Sequence, residues 1–221
     1  EDIMEKQFAV LGLGSFGYSV AVTLENMGYD VLVLDDSYEK IQDISDKVSY
    51  AIRADASDPD ALQALGGRNL DGVVIALSEN LEASIMATMI CKEMEIPLVL
   101  VKAKDELQGE ILKRVGADRI VYPEIEMGSR VAKNLVAKEF MDWIALSNDY
   151  SLVEIAVPQK WIGQNLMELK LRDRFGINVV GIIADGKVDV TPDPQLPLPE
   201  GGILIVIGSN EILEKFDSKK K

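Results

Sequence analysis

The stretch FAVLGLGSFGYS places glycines at positions 12, 14 and 17, a G-x-G-x-x-G spacing. An apolar run precedes it, and Val20, Leu24 and Met27 then recur on one helical face. In such a strand–turn–helix unit each glycine has a mechanical task. The first makes the tight turn, the second lets backbone approach a phosphate, and the third lets helix and strand pack closely. The N–H groups and dipole at the helix start favour an anion. Ser15 and Phe16, inside the turn, therefore join the three glycines as candidate ligand contacts.

Asp35 closes the next apolar run, VLVLDD, about twenty residues on, where a carboxylate can accept from ribose hydroxyls. A carboxylate there repels a 2′-phosphate and disfavours NADP. Asp36 is either a second polar contact or the N-cap of the following helix, with Glu39 completing a capping box. Asp55 and Ala56 end the run YAIRAD. The acid faces either an adenine amino group or only the helix cap expected at Asp58–Pro59. Ser78, Glu79 and Asn80 end GVVIALS, and Lys102 ends PLVLVKA. Carboxyl ends of parallel strands face the ligand crevice, so these residues complete the candidate set. Lys102 either offsets phosphate charge or is a solvated lysine.

Catalysis would need a positioned acid or base. The chain contains no histidine, the commonest such group, and no Tyr-x-x-x-Lys. Its single cysteine, Cys91, lies among Ile85, Met89, Ile90 and Met94 and reads as a buried, inert thiol. A binding switch is expected rather than an enzyme. An NAD-dependent oxidoreductase or an NAD(H) redox sensor is the alternative.

Composition narrows the setting. A net charge of −14 argues against duplex nucleic acid as a partner, because phosphate backbones want a basic surface. One cysteine allows no intrachain disulfide, and with no signal peptide visible a cytoplasmic location is expected. The apolar runs are strand-sized, well short of the roughly 20 residues that span a bilayer. Any membrane role would go through a partner.

Strand and helix patterns alternate up to RIVYP, with continuously apolar strands as in a parallel sheet covered on both faces. The expected fold is α/β: a Rossmann-like doubly wound parallel sheet with a smaller α+β C-terminal lobe. The expected divisions are a nucleotide-binding domain over 4–125, with Met4 as the native start, a crossover helix and linker over 126–147, and a C-terminal lobe over 148–217. The stretch EIEMGSRVAKNLVAKEFMDWI reads as one long helix with a stripe of Val131, Leu135, Val136, Phe140 and Ile144. The stripe packs either on its own sheet or on a second subunit. Beyond it, YSLVEIAVP reads as a strand and NLMELKLRDRF as a helix. NVVGIIADGKVDVTP reads as a hairpin around Asp185–Gly186, and the final lysines as a solvated tail.

These motifs, in order, with LKRVGADRIVYPE and the C-terminal SLVEIAV, LRDRFGINVVGI and GGILIVIG, resemble the TrkA/KtrA-type regulatory subunits of bacterial potassium uptake systems. Such subunits carry an RCK (KTN) N-lobe and an RCK-C (TrkA-C) lobe. The resemblance implies a homodimer assembled into an octameric ring, docked on the cytoplasmic face of a membrane-embedded potassium transporter of the TrkH/KtrB type. It implies ATP or ADP, or NAD(H) in some relatives, on Gly12, Gly14, Gly17, Asp35, Asp55 and the Ser78–Asn80 loop. It implies Mg²⁺ or Ca²⁺ at Glu124 between subunits, where the residue by itself reads rather as a helix-start acid. It also implies cyclic di-AMP on Leu166, Arg172, Ile177, Asn178 and Pro194. One departure stands out. Ser15 replaces an arginine that many KtrA members carry after the second glycine, which removes a charge-assisted phosphate contact.

Overall fold

The computed structural model describes residues 6–63, 69–136 and 140–218; the expected start at Met4 and the terminal lysines lie outside them. The chain divides into two compact units, Glu1–Ile125 and Glu126–Lys221.

The first unit alternates strictly. Its elements are β1 (Gln7–Leu11), α1 (Ser15–Asn26), β2 (Asp30–Asp35), α2 (Tyr38–Ile44), β3 (Tyr50–Arg53), α3 (Pro59–Gln63), β4 (Leu70–Ile75), α4 (Leu81–Glu93), β5 (Val99–Lys102), α5 (Glu106–Val115) and β6 (Arg119–Val121). All strand pairs are parallel, in the order β3-β2-β1-β4-β5-β6. This is the doubly wound order, with its topological switch point between β1 and β4. The continuous apolar runs are explained by the two-residue side-chain period. Ala9, Leu11, Leu32, Leu34, Val73 and Ile75 meet α4 and α5 on one face. Val10, Val31, Val33 and Val74 meet α1 and α2 on the other. Cys91 is fully buried in the first cluster, as expected, and burial pushes its thiol up to about 12.

Helix α6 (Pro123–Val136) runs across the boundary between the units and exposes Ile125, Met127, Val131 and Leu135. The second unit holds β7 (Phe140–Ala145), β8 (Tyr150–Ala156), α7 (Leu166–Leu169), α8 (Leu171–Phe175), β9 (Asn178–Ala184), β10 (Lys187–Asp189), β11 (Ile203–Ser209) and α9 (Asn210–Ser218). Its sheet is antiparallel in the order β10-β9-β11-β8-β7. Alternating burial along β8 and β11 shows one covered face, built on Trp143, Val153, Ile155, Leu204, Val206 and Leu213.

The hairpin expectation holds. Asp185 and Gly186 both have positive φ, 50° and 72°, as a type I′ turn requires. Three expectations are corrected. The long helix ends at Val136, and Phe140–Ala145 is instead a strand paired with β8. Its Trp143 ring is buried, and the indole Nε1 donates to Ser151 Oγ at 2.9 Å. The single helix read in NLMELKLRDRF is two short ones, broken at Lys170, whose φ is +47°. Finally, α2 is capped by Ser37, whose hydroxyl accepts from Lys40 N, and not by Asp36.

Candidate nucleotide site

The three glycines answer to different demands. Gly12 has φ +93°, and a Cβ there would meet Leu77 Cδ2 at 2.8 Å and Ala76 O at 2.9 Å. A Cβ on Gly17 would lie 2.0 Å from Gly12 O. Both glycines are required by the fold itself. Gly14 is different: its φ of −70° suits any residue, and a Cβ would meet nothing within 4 Å. That open space lies at the head of α1. Helices α2, α4 and α5 have first-turn N–H groups accepted by Ser37, Asn80 and Asp105. At α1 the N-cap is Gly14, no side chain caps it, and its first turn carries no acid. No side chain of its cap satisfies the orphan N–H groups there, the arrangement at which a helix start can take an anion. Ser15 is exposed at this end, whereas the half-buried Phe16 ring packs with Val10 and Leu13.

Asp35, 6% exposed, sits at the end of β2 beside this turn. Its Oδ2 accepts from Leu13 N at 2.6 Å, and its Oδ1 from Ser37 N at 2.9 Å. Lys40 Nζ bridges both oxygens at 3.2 and 3.4 Å. Burial disfavours the charged carboxylate, but the Leu13 and Ser37 N–H groups and the Lys40 ammonium outweigh it and hold its pKa below the ordinary value.

Gly12, Asp35, Asp36, Asp55, Ala56 and Asn80 line one cleft of about 160 Å³. Sequence reasoning thus gathered residues from the carboxyl ends of several strands that do meet. Asp55 folds into an Asx turn, accepting from Ser57 N at 2.8 Å and Ser57 Oγ at 2.6 Å, and these bonds lower its pKa. Asn80 Oδ1 is taken by Ala83 N at 3.0 Å as the cap of α4. Other candidates lie apart from the cleft lining. Ser78 is buried, its carbonyl accepting from Gln108 Nε2 at 3.0 Å. Glu79 is exposed. Lys102, only 13% exposed, pairs with Glu124 at 2.5 Å, and this bond lowers the Glu124 pKa.

Ser57, Leu77 and Ala83 also line the cleft, and Arg53 Nε donates to Asp36 O at 2.9 Å. Sequence reading missed these four and Lys40. Only Lys40 had a signal, one helical turn after a candidate acid.

Glu124 was expected to hold a divalent cation. Among the described residues no three acidic, histidine or cysteine side chains gather as a metal site. One carboxylate beside an ammonium falls short of the six or more oxygens that Mg²⁺ or Ca²⁺ takes.

In the second unit, Leu166, Arg172, Ile177 and Asn178 line a cleft of about 440 Å³ with Lys170 and Asp173. Pro194 O accepts from Met167 N at 3.3 Å and so borders it. Arg172 and Asn178 are exposed, while Ile177 is wholly buried and forms floor. A larger cleft, about 510 Å³, lies between β10 and the loop over 192–199, lined by Val188, Leu196, Pro197 and Pro199 among others. Nothing in the sequence reading anticipated it.

Known families divide the chain at nearly the same place. The TrkA-N domain matches residues 8–123, more than half of the chain, and the TrkA-C domain matches 151–221. The chain belongs to the TrkA/Ktr family. Ktr system potassium uptake protein C of Bacillus subtilis (strain 168) is 38% identical over 98% of each chain. Ktr system potassium uptake protein A of the same organism is 33% identical over 98% of each. Among solved structures, the GsuK RCK domain superposes with a TM-score of 0.65 at 18% identity, covering 99% of this chain and 48% of that one. This bears out the TrkA/KtrA resemblance and the Rossmann-like fold with its smaller lobe. No helix of the described residues is long and apolar enough to cross a membrane.

Proposed function

We propose that this TrkA/Ktr chain is a nucleotide-binding gating subunit of a potassium uptake system. The observation that carries the reading is an open phosphate turn at Gly14 beside a buried ribose acid, Asp35. It occurs in a chain 38% identical along nearly its whole length to a Ktr system potassium uptake protein. ATP or ADP lies with its phosphates on the α1 N-terminus, its ribose on Asp35 and its adenine toward Asp55; NAD(H) is the alternative occupant. The chain binds and does not turn over its ligand.

Gating then follows from differential affinity. A ligand shifts a conformational equilibrium only by the ratio of its affinities for the two states. Two chains pair through the exposed apolar face of α6, pairs close into a ring, and the ring docks on the cytoplasmic side of a membrane transporter subunit. Glu124 is one ligand of a cation site that a single chain does not complete. Arg172 and Asn178 read the phosphates and bases of cyclic di-AMP.

Calorimetric titration with ATP, ADP and NADH, paired with light scattering, tests this. Micromolar binding of an adenine nucleotide to an oligomer is expected. Binding of NADH alone would overturn ATP or ADP as the occupant, and a monomer at every micromolar concentration would refute the ring.

A further inference from the structure

The Asp35 carboxylate is fully engaged by groups of its own chain. Its two oxygens make four contacts: one each with Leu13 N and Ser37 N, and one each with Lys40 Nζ. A carboxylate oxygen offers two acceptor positions, so those four contacts fill the group. The donors are not equivalent. Leu13 is 4% exposed and packed in the core, and Ser37 holds the start of α2, so both N–H groups are fixed by the fold. Lys40 carries its ammonium on a flexible stem, its side chain is 48% exposed, and its two contacts are the longest of the four. Of the three donors, only Lys40 can withdraw without moving backbone. Arg53 donates its Nε–H to the Asp36 carbonyl and not to Asp35.

We propose that Lys40 is a displaceable plug on the ribose acid. The two vicinal hydroxyls of a ribonucleotide take over the positions on Asp35 that Lys40 holds. Lys40 is therefore a specificity-determining residue, setting how strongly the site rewards a ribose diol. The inference rests on Asp35 being the ribose acid of the proposed nucleotide site.

The readout is a ratio, Kd for 2′,3′-dideoxy-ATP divided by Kd for ATP, measured by calorimetry on the full chain. The dideoxy compound keeps adenine and phosphates but has no hydroxyl to compete for Asp35. Any general effect of the lysine charge on phosphate attraction, or of a disturbed fold, divides out. Lys40→Met keeps the apolar stem and removes the donor. The lysine end of the pair is half exposed and its contacts are long, so the pair is weak and the ratio is expected to rise about two- to fivefold in Lys40→Met. Lys40→Arg, which still bridges a carboxylate, keeps the wild-type ratio. A wild-type ratio above one that does not rise in Lys40→Met overturns the plug alone. A ratio that falls in Lys40→Met means that Lys40 binds the ribose itself, and overturns it too. A wild-type ratio of one overturns the ribose-acid reading beneath it, and no binding of ATP overturns the ATP or ADP site on which the proposal rests.

Discussion

Replacing Gly14 with alanine separates what the fold needs from what the ligand needs. The backbone there, φ −70° and ψ 177°, is open to any residue, and a methyl group would meet no protein atom within 4 Å. Two small stability effects oppose each other. Alanine narrows the unfolded ensemble, worth about 0.4–1 kcal/mol, but is a poorer N-cap than glycine. The ligand-free chain should therefore melt within about 2 °C of wild type. Nucleotide binding should suffer, because the methyl occupies the space a phosphate oxygen must enter to reach N–H groups at about 2.9 Å. Losing one hydrogen bond to a charged group costs about 1.5–3 kcal/mol, or roughly 10- to 150-fold in Kd. Gly17→Ala is the internal contrast. Its Cβ would sit 2.0 Å from Gly12 O, so it should melt well below wild type, by about 5 °C or more if it folds. Differential scanning fluorimetry without ligand and calorimetry with ATP and ADP measure both quantities. If Gly14→Ala binds as wild type does, or melts as low as Gly17→Ala, the assignment of Gly14 to the phosphates is wrong.

Three further outcomes follow from the site and its surroundings. Asp118 accepts from Val99 N at 2.7 Å and pairs with Lys92, and these contacts lower its pKa. A carboxyl lowered in the folded state stabilises above its unfolded value of about 3.9 and loses that contribution as pH falls through the folded value. The melting gap between wild type and Asp118→Asn should therefore shrink from pH 6 to pH 3; a gap that widens would contradict the sign. Cys91, fully buried with its thiol pushed up to about 12, should react with a thiol reagent only after unfolding, at a rate that rises steeply through the urea transition. Arg172→Ala, an exposed change, should leave the melting temperature within about 2 °C. It should also weaken cyclic di-AMP binding about tenfold or more by loss of a charged contact; unchanged affinity would remove Arg172 from that site.

The first lobe was legible because its signals are local. Glycine spacing and continuous apolar strands each need only a few neighbouring residues, and they agreed with one another; the cap of α2 is Ser37, one residue past Asp36. The stretch Phe140–Ala145 was misread because Phe140 and Ile144 extend the stripe of Val131 and Leu135 at helical spacing, while its pairing with β8 is a non-local fact. Lys170 was read through as helix because nothing in its neighbours announces a left-handed residue. Within the site, Asp35, Asp36, Asp55, Ala56 and Asn80 converged as strand-end logic anticipates. The same logic over-collected: Ser78 faces Gln108, and Lys102 is held by Glu124. Strand ends specify a side of the sheet, and only packing specifies where along that side a side chain lies.

The bond from Leu13 N to Asp35 joins two jobs usually discussed separately. Leu13 lies inside the glycine turn, so under the proposed function the acid assigned to the sugar also splints the loop assigned to the phosphates. Adenosine alone, by pulling on Asp35, would be felt in the phosphate loop, and a bare polyphosphate would be felt at the acid. A substitution at Asp35 consequently reports on the whole length of the ligand, so sugar recognition has to be dissected by altering the ligand's hydroxyls and not the acid that receives them.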